Sequence, residues 1–450
     1  MARVSTDDPP RSRRARLARA AIPPAGPLRT LTKGTLANTI GNGLFFTIEV
    51  IFFTRSVGLS AHEVALGLGI AAAAGLLFAV PAGHLADRWG PRELTAAASV
   101  GEGLTMAAFT LVHSFAGFLV VSVAAGIIAN VGGSTRGAMM SRFGVGDERV
   151  QIRAFQRAVT NFGISIGTVF SGVALAYDTR DAYLAMVLGN AATFFVAAYY
   201  IMQLPAMPPT PRGDGERREP MTVVLRDRRY LLASGLNGLF WIHFSVQSVG
   251  LPLWIVEHTR APRWWVAVLL MVNTTMVILL QVRSSRGSGD VTAAARAFRR
   301  SGVLIGVGFL FYAAAAGASA WVACVVLVIG MVFHTFGELY SSGASWGIGF
   351  GMAREHLQGQ YQGAYSLGRS LSGIVAPIIV IATAISLGRG GWVILAVAFV
   401  LIGGAFPPLV RSFTRHELAR RLEGDESEGE PTTRFPRGPA SGPVGEEPSN

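Results

Sequence analysis

Apolar runs of membrane-crossing length, separated by short polar breaks, recur along nearly the whole chain. A helix that spans a bilayer needs about 20 such residues. Read in order, the runs predict spans over 36–54, 64–81, 94–111, 116–138, 158–177 and 183–202. A second series follows over 231–256, 264–281, 301–316, 321–340, 361–386 and 392–410. The ninth is short, because Gly317-Ala318-Ser319 splits one uncharged run by a tight turn. Residues 204–230 interrupt the series with Pro205, Pro208, Pro209, Pro211 and a dense charge cluster, which predicts a linker between two halves.

A partial repeat supports the division. The first span holds Asn42-Gly43-Leu44-Phe45-Phe46 and the seventh holds Asn237-Gly238-Leu239-Phe240-Trp241. A weaker echo links Phe155-Gln156-Arg157-Ala158 in the fifth span to Tyr361-Gln362-Gly363-Ala364 in the eleventh. Parallel repeats of this kind predict an all-α polytopic membrane protein. Its 12 transmembrane helices would form two six-helix bundles around a central cavity, with substrate bound near the midplane. The expected organisation is a cytoplasmic tail over 1–33, bundles over 34–203 and 231–410, the linker 204–230, and a second tail over 411–450. Both tails read as disordered, the second from about Gly424.

Composition agrees with this reading. Of 450 residues, 51% are hydrophobic and 15% charged, and mean hydropathy is +0.43. A soluble domain carries about a quarter charged residues. The net charge of +12 comes from dispersed arginines with no aromatic-interleaved basic patch, so no nucleic-acid partner is expected. Instead the bases concentrate in the two tails and in the loops after even-numbered spans. Only Arg55, Arg180, Arg260, Arg263 and Arg389 fall on the other side, while Arg136, Arg157 and Arg369 fall inside spans. The positive-inside rule then puts both termini in the cytoplasm, in a multi-pass protein of the plasma membrane. The single cysteine, Cys324, lies in an apolar span and offers no disulfide or metal framework. Residues 1–33 lack the apolar core of a signal peptide.

Between the second and third spans stands Gly83-His84-Leu85-Ala86-Asp87-Arg88-Trp89-Gly90-Pro91-Arg92. This stretch resembles the signature loop of the major facilitator superfamily, G-x-L-A-D-R-x-G-x-R, at every anchoring position. Gly83 and Gly90 are expected to let the backbone turn tightly. Asp87 is expected to face the positive N-terminus of a neighbouring helix, with Arg88 and Arg92 pairing with acids or lipid phosphates. The resemblance implies that Asp87 locks the cytoplasmic side of the two halves in one state and releases it in the other. The equivalent second-half loop, 283–290, keeps bases and glycines without the spacing.

Charges inside spans come next, because they are costly in a bilayer and usually have a partner or a task. Asn38, Asn42, Phe45 and Glu49 recur at helical spacing on one face of the first span. The resemblance implies that this face looks into the cavity; the alternative is an interfacial Glu49 paired with Arg55. His334 and Glu338, four apart in the tenth span, form a candidate proton-carrying pair, or else a structural polar pair. Arg369 is the natural counter-charge for Glu338. Arg136 is expected near the cytoplasmic end, where it could join Asp87. Glu102 suits a fixed hydrogen bond. His243 and Gln247 share a face of the seventh span with polar potential, and Asn237 belongs to the same cavity set. Gly163, Gly167 and Gly172 in the fifth span allow close helix contact. Thr168 stands where the antiporters of the resembled superfamily carry a proline.

These features predict a secondary active transporter and not an enzyme. The leading expectation is proton-coupled efflux of small amphipathic compounds by a monomer. Small-molecule substrate, protons and lipid are its partners, and no cofactor or metal is expected. No G-x-x-x-x-G-K-[ST] loop is present to bind ATP. An importer of the same fold is the alternative; an integral-membrane enzyme or sensor would need a catalytic constellation that the sequence lacks.

Overall fold

The computed structural model describes residues 26–209, 220 and 222–428. The expected tails over 1–25 and 429–450, and the linker core over 210–219 and 221, lie outside the described residues. Among the described residues eleven helices are long and apolar enough to cross a membrane, and a bent pair makes twelve when counted as one span. We number them α1 (Pro27–Phe46 with Glu49–Ser56, bent by 49°), α2 (His62–Trp89), α3 (Pro91–Leu111), α4 (Phe115–Ser141), α5 (Gly146–Tyr177) and α6 (Arg180–Met202). The second series is α7 (Arg228–His258), α8 (Trp265–Ser284), α9 (Val291–Ala315), α10 (Ala320–Gly351), α11 (Glu355–Ile385) and α12 (Gly388–Leu418). No strand occurs among the described residues. The fold is the expected all-α polytopic one.

Helix ends follow local chemistry. Ser60 and Glu63 form a reciprocal capping box at the start of α2, with bonds of 3.2 and 2.8 Å. Ser114, Thr179, Asp227 and Asp290 cap α4, α6, α7 and α9. Several boundaries differ from the sequence reading. The helix of α1 begins at Pro27, so 27–33 is not tail; a proline at the first helical position needs no N–H partner. The ninth helix starts at Val291, well before 301, because its first turns are polar and project beyond the apolar run. The last helix continues to Glu428, past the point where composition alone suggested disorder. Residues 411–428 belong to a separate compact unit from the rest.

Within the first half, α1 packs on α5 and α6, α2 on α4, and α3 on α4 and α6. In the second half α7 packs on α11, α9 on α10, and α8 on α10. The sequence repeat has a structural counterpart. Gly43 of α1 meets the Ile164 carbonyl of α5, and Gly238 of α7 meets the Gly368 carbonyl of α11. Phe45 stacks on Phe109 of α3 at 6.1 Å, and Phe240 meets Phe298 of α9 at 5.2 Å. Both repeat helices also lose regular α geometry further along, α1 at Phe52–Ser56 and α7 at Val246–Gly250, just ahead of Pro252. Outer faces carry exposed apolar side chains such as Leu77, Val120, Val169, Ile378 and Leu401, as lipid contact requires.

Candidate functional site: the seam between the halves

The halves meet along α2–α11, α4–α11, α5–α8 and α5–α10. At the end of the fold that carries the α2–α3 turn, Asp87 is buried against the first turn of α11. Its Oδ1 accepts the Gly359 N–H at 2.7 Å and its Oδ2 accepts the Gln360 N–H at 2.9 Å. These amides belong to the unsatisfied set at a helix N-terminus, where the helix dipole also favours a carboxylate. The expected placement of Asp87 is therefore what the fold has. The stretch around it is not a loop, however: α2 stays helical to Trp89, and the chain turns only at Gly90, with φ +98°, before Pro91 opens α3. Gly83 makes no turn. It lies inside α2, where an added Cβ would come 2.0 Å from the Gly359 carbonyl oxygen, so its missing side chain admits α11. Arg88 is exposed. Arg92 donates to the Leu204 carbonyl at 2.7 Å and pairs with Glu93 at 2.6 Å, so it closes the end of α6 in place of a lipid phosphate.

Deeper in the seam, Glu338 of α10 gathers donors from three other helices. Arg157 of α5 reaches its Oε1 at 2.5 Å; Gln247 of α7 and Asn273 of α8 donate to Oε2 at 3.0 and 2.8 Å. Arg157 also donates to Ser342 and lies over the Phe244 ring at 5.3 Å. The side chains of Arg157 and Glu338 are 16% and 3% exposed, which makes this a buried ion pair across the halves. Beside it Trp241, Phe244, Ser342, Ser345 and Asn237 line a cavity of about 20 Å³, room for one water.

This geometry corrects the expected partners. His334 does not pair with Glu338. Its Nδ1 meets the Tyr312 hydroxyl at 3.2 Å and its Nε2 meets His243 Nδ1 at 3.3 Å, forming a buried triad one turn away. Spacing of four puts the two residues on one face, but three external donors draw the carboxylate across the seam. Arg369 is not the counter-charge of Glu338 either; it lies over Trp241 at 5.3 Å. Arg136 pairs with Glu102 at 3.4 Å, away from Asp87, whose oxygens are already occupied by amides. Glu102 thus has the fixed bond expected of it. Arg55 pairs with Asp178, leaving Glu49 half-buried with no hydrogen bond or ion pair among the described residues. Asn42 is half-buried too, whereas Phe45 points into an aromatic cluster with Phe53 and Phe109. The single face proposed for α1 is therefore split.

In sequence Arg157 is one intramembrane arginine among three. Its position in a helix of the first half gave no hint of an acid 181 residues away.

Gln362, Tyr365 and Arg369 share a face of α11. Gln362 lies against Gly137 of α4, and Tyr365 accepts from Ser345 of α10 at 3.3 Å, so the face looks inward. Arg369 on that face is nevertheless exposed.

The architecture has known counterparts. The chain aligns with a crystal structure of a major facilitator transporter, FucP, in an outward conformation, with TM-score 0.68 and 15% identity over 85% of this chain and 98% of that one. A bacterial homologue of the iron transporter ferroportin, outward-facing, gives TM-score 0.67 and 13% identity over 86% and 99%. The human organic anion transporter MFSD10 gives 0.61 and 15% over 84% and 98%. At these identities the likeness establishes the fold. No curated protein matches the chain in sequence. The sequence model of the Major Facilitator Superfamily matches residues 32–377, most of the chain, in agreement with its helix count and its Asp87 contact. This protein is a member of the Major Facilitator Superfamily, a multi-pass membrane transporter of small molecules.

Proposed function

We propose that the protein is a proton-coupled secondary transporter that exports small amphipathic compounds, with Glu338 as the proton-binding group. The observation that carries this reading is the buried Arg157–Glu338 pair across the two halves. Alternating access in this fold rocks one half against the other around a central site. A bridge across the seam must break during that motion, and removing one partner of a buried pair costs about 3–5 kcal/mol. A proton arriving on Glu338 takes the place of Arg157 and lowers the cost of parting. Asp87 on the α11 N-terminus supplies a second, shallower contact of the same kind.

The membrane is the plasma membrane, both termini face the cytoplasm, and the monomer is the working unit. On that topology the Asp87 end is cytoplasmic and shut, with the exposed Arg369 facing an outward opening. His243 and His334 keep their place as a polar support behind Glu338. The test is flux in proteoliposomes under an imposed pH gradient. Wild type should drive cargo against the gradient, and Glu338→Gln should exchange cargo without that drive. Intact pH-driven accumulation in Glu338→Gln would overturn the assignment. Orienting the vesicles decides between export and uptake; Thr168, in place of the antiporter proline, keeps uptake as the second reading.

A further inference from the structure

Below the shallow Asp87 contact, which the α11 amides already fill, the charged side chains at and beside the seam include Arg136, Arg153, Arg157 and Arg369 and the acids Glu102 and Glu338. Each acid is already taken, Glu102 by Arg136 and Glu338 by Arg157. Arg153 and Arg369 are left with no carboxylate among the described residues. Arg153 stands one turn before Arg157 on α5, its Nε buried without an acceptor and its guanidinium 5.7 Å from the Phe350 ring centroid. Arg369 of α11 lies over Trp241. Trp241 is 4.6 Å from Phe244, the ring under Arg157, so Arg369 stands one aromatic pair away from the turn of α5 that carries Arg153 and Arg157.

Unpaired cations inside a membrane protein are costly and mark sites with a task. The planar forks of two arginines suit a carboxylate or a phosphate, which can accept paired hydrogen bonds from each. Arg369 is exposed on the inward face of α11, so a solute can reach it.

We propose that Arg153 and Arg369 bind the anionic group, carboxylate or phosphate, of an amphipathic substrate. The word substrate rests on the transport reading above; the binding site itself does not. Arg157 stays with Glu338 and belongs to coupling, whereas Arg153 and Arg369 select the sign of the cargo. Glu49, exposed to no counter-charge at the far side of α1, is outside this site.

Calorimetry on the full chain in neutral detergent tests the site with benzoate, phenyl phosphate, benzyl alcohol and benzylamine. The two anions should bind and the neutral and cationic probes should not. Their relative affinity separates carboxylate from phosphate recognition. Arg153→Gln and Arg369→Gln should each weaken anion binding by about tenfold or more, because each removes one partner of a charged contact. Without anion, both variants should melt at or above the wild-type temperature, since each deletes an unpaired charge. That readout separates lost binding from lost folding, and Arg369→Lys should recover part of the affinity. Equal binding of benzyl alcohol, or wild-type affinity in both glutamine variants, overturns the proposal. So does saturation by phosphatidylglycerol micelles with no response to the soluble anions, which would make this a lipid contact. Anion binding with no pH-driven flux would sink the coupling mechanism and leave this site standing. pH-driven flux of a cationic probe, indifferent to both variants, would do the reverse.

Discussion

Arg157 on α5 and Glu338 on α10 meet at 2.5 Å across the seam, and Glu338 lies about 20 Å from the nearer end of its helix at 1.5 Å per residue. The pair is thus at mid-depth, held by residues of both halves and screened from water. Its consequence is pairwise. Arg157→Gln and Glu338→Gln should each lower thermal stability, and the double variant should lose less than the sum. The coupling energy of such a buried pair is on the order of 3 kcal/mol. Additive losses in a double-mutant cycle would mean that the contact carries no linkage.

Asp87→Asn should leave insertion intact and slow transport. The amide keeps one acceptor oxygen but turns the other position into a donor facing the Gln360 N–H, and it loses the charge that the α11 N-terminus attracts. The loss should be on the order of 1–3 kcal/mol for this closed end. Proteolysis or labelling at this end should become faster; an unchanged rate in a well-expressed variant would remove Asp87 from gating.

Gly83→Val should prevent the same end from closing by volume instead of charge. Even a Cβ would stand 2.0 Å from the Gly359 carbonyl oxygen, and that atom is backbone with nowhere to move. Single-turnover binding from the opposite side should survive while completed transport cycles cease. Normal cycling would show that α2 and α11 need not approach this closely.

How much of this could be read from sequence depends on the range of the interaction. The spans follow from runs of apolar residues, and the Gly90-Pro91 turn and Asp87 follow from local chemistry, so these were legible. The Asn-Gly-x-Phe repeat also predicted correctly that α1 and α7 are equivalent, since its glycine and phenylalanine perform matching contacts in both halves. Partners were not legible. Helical spacing places His334 beside Glu338, but it is blind to Tyr312, His243, Asn273 and Arg157, which come from other helices and decide where each side chain turns. Gly83 misled for a related reason: a glycine that admits another helix looks, in sequence, like one that makes a turn.

At the opposite end, Asp178 holds the α5–α6 turn to α1. It accepts from the Tyr183 hydroxyl at 2.5 Å and from Arg55, and these bonds keep its carboxyl below the ordinary aspartate range. A folded-state pKa that is depressed contributes stability above the unfolded pKa, near 4, and the contribution fades as pH falls through the lower folded value. Wild type should therefore melt above Asp178→Asn at neutral pH, with the gap closing only below about pH 4. A gap that closes nearer neutrality would assign the difference to another group.

On the proposed coupling, a proton on Glu338 releases Arg157 and lets the halves part. Spin labels at exposed Arg88 and Arg286, one on each half at the Asp87 end, report that motion directly in the otherwise labelling-silent chain, whose sole cysteine, Cys324, is buried. The measurement is the electron–electron distance distribution in mildly alkaline and mildly acidic buffer. In wild type, acidification should shift the population from the short to the long distance, and Glu338→Gln should show the long population already in alkaline buffer. Superimposable distributions for wild type at both pH values and for Glu338→Gln would rule out proton-triggered parting of the halves.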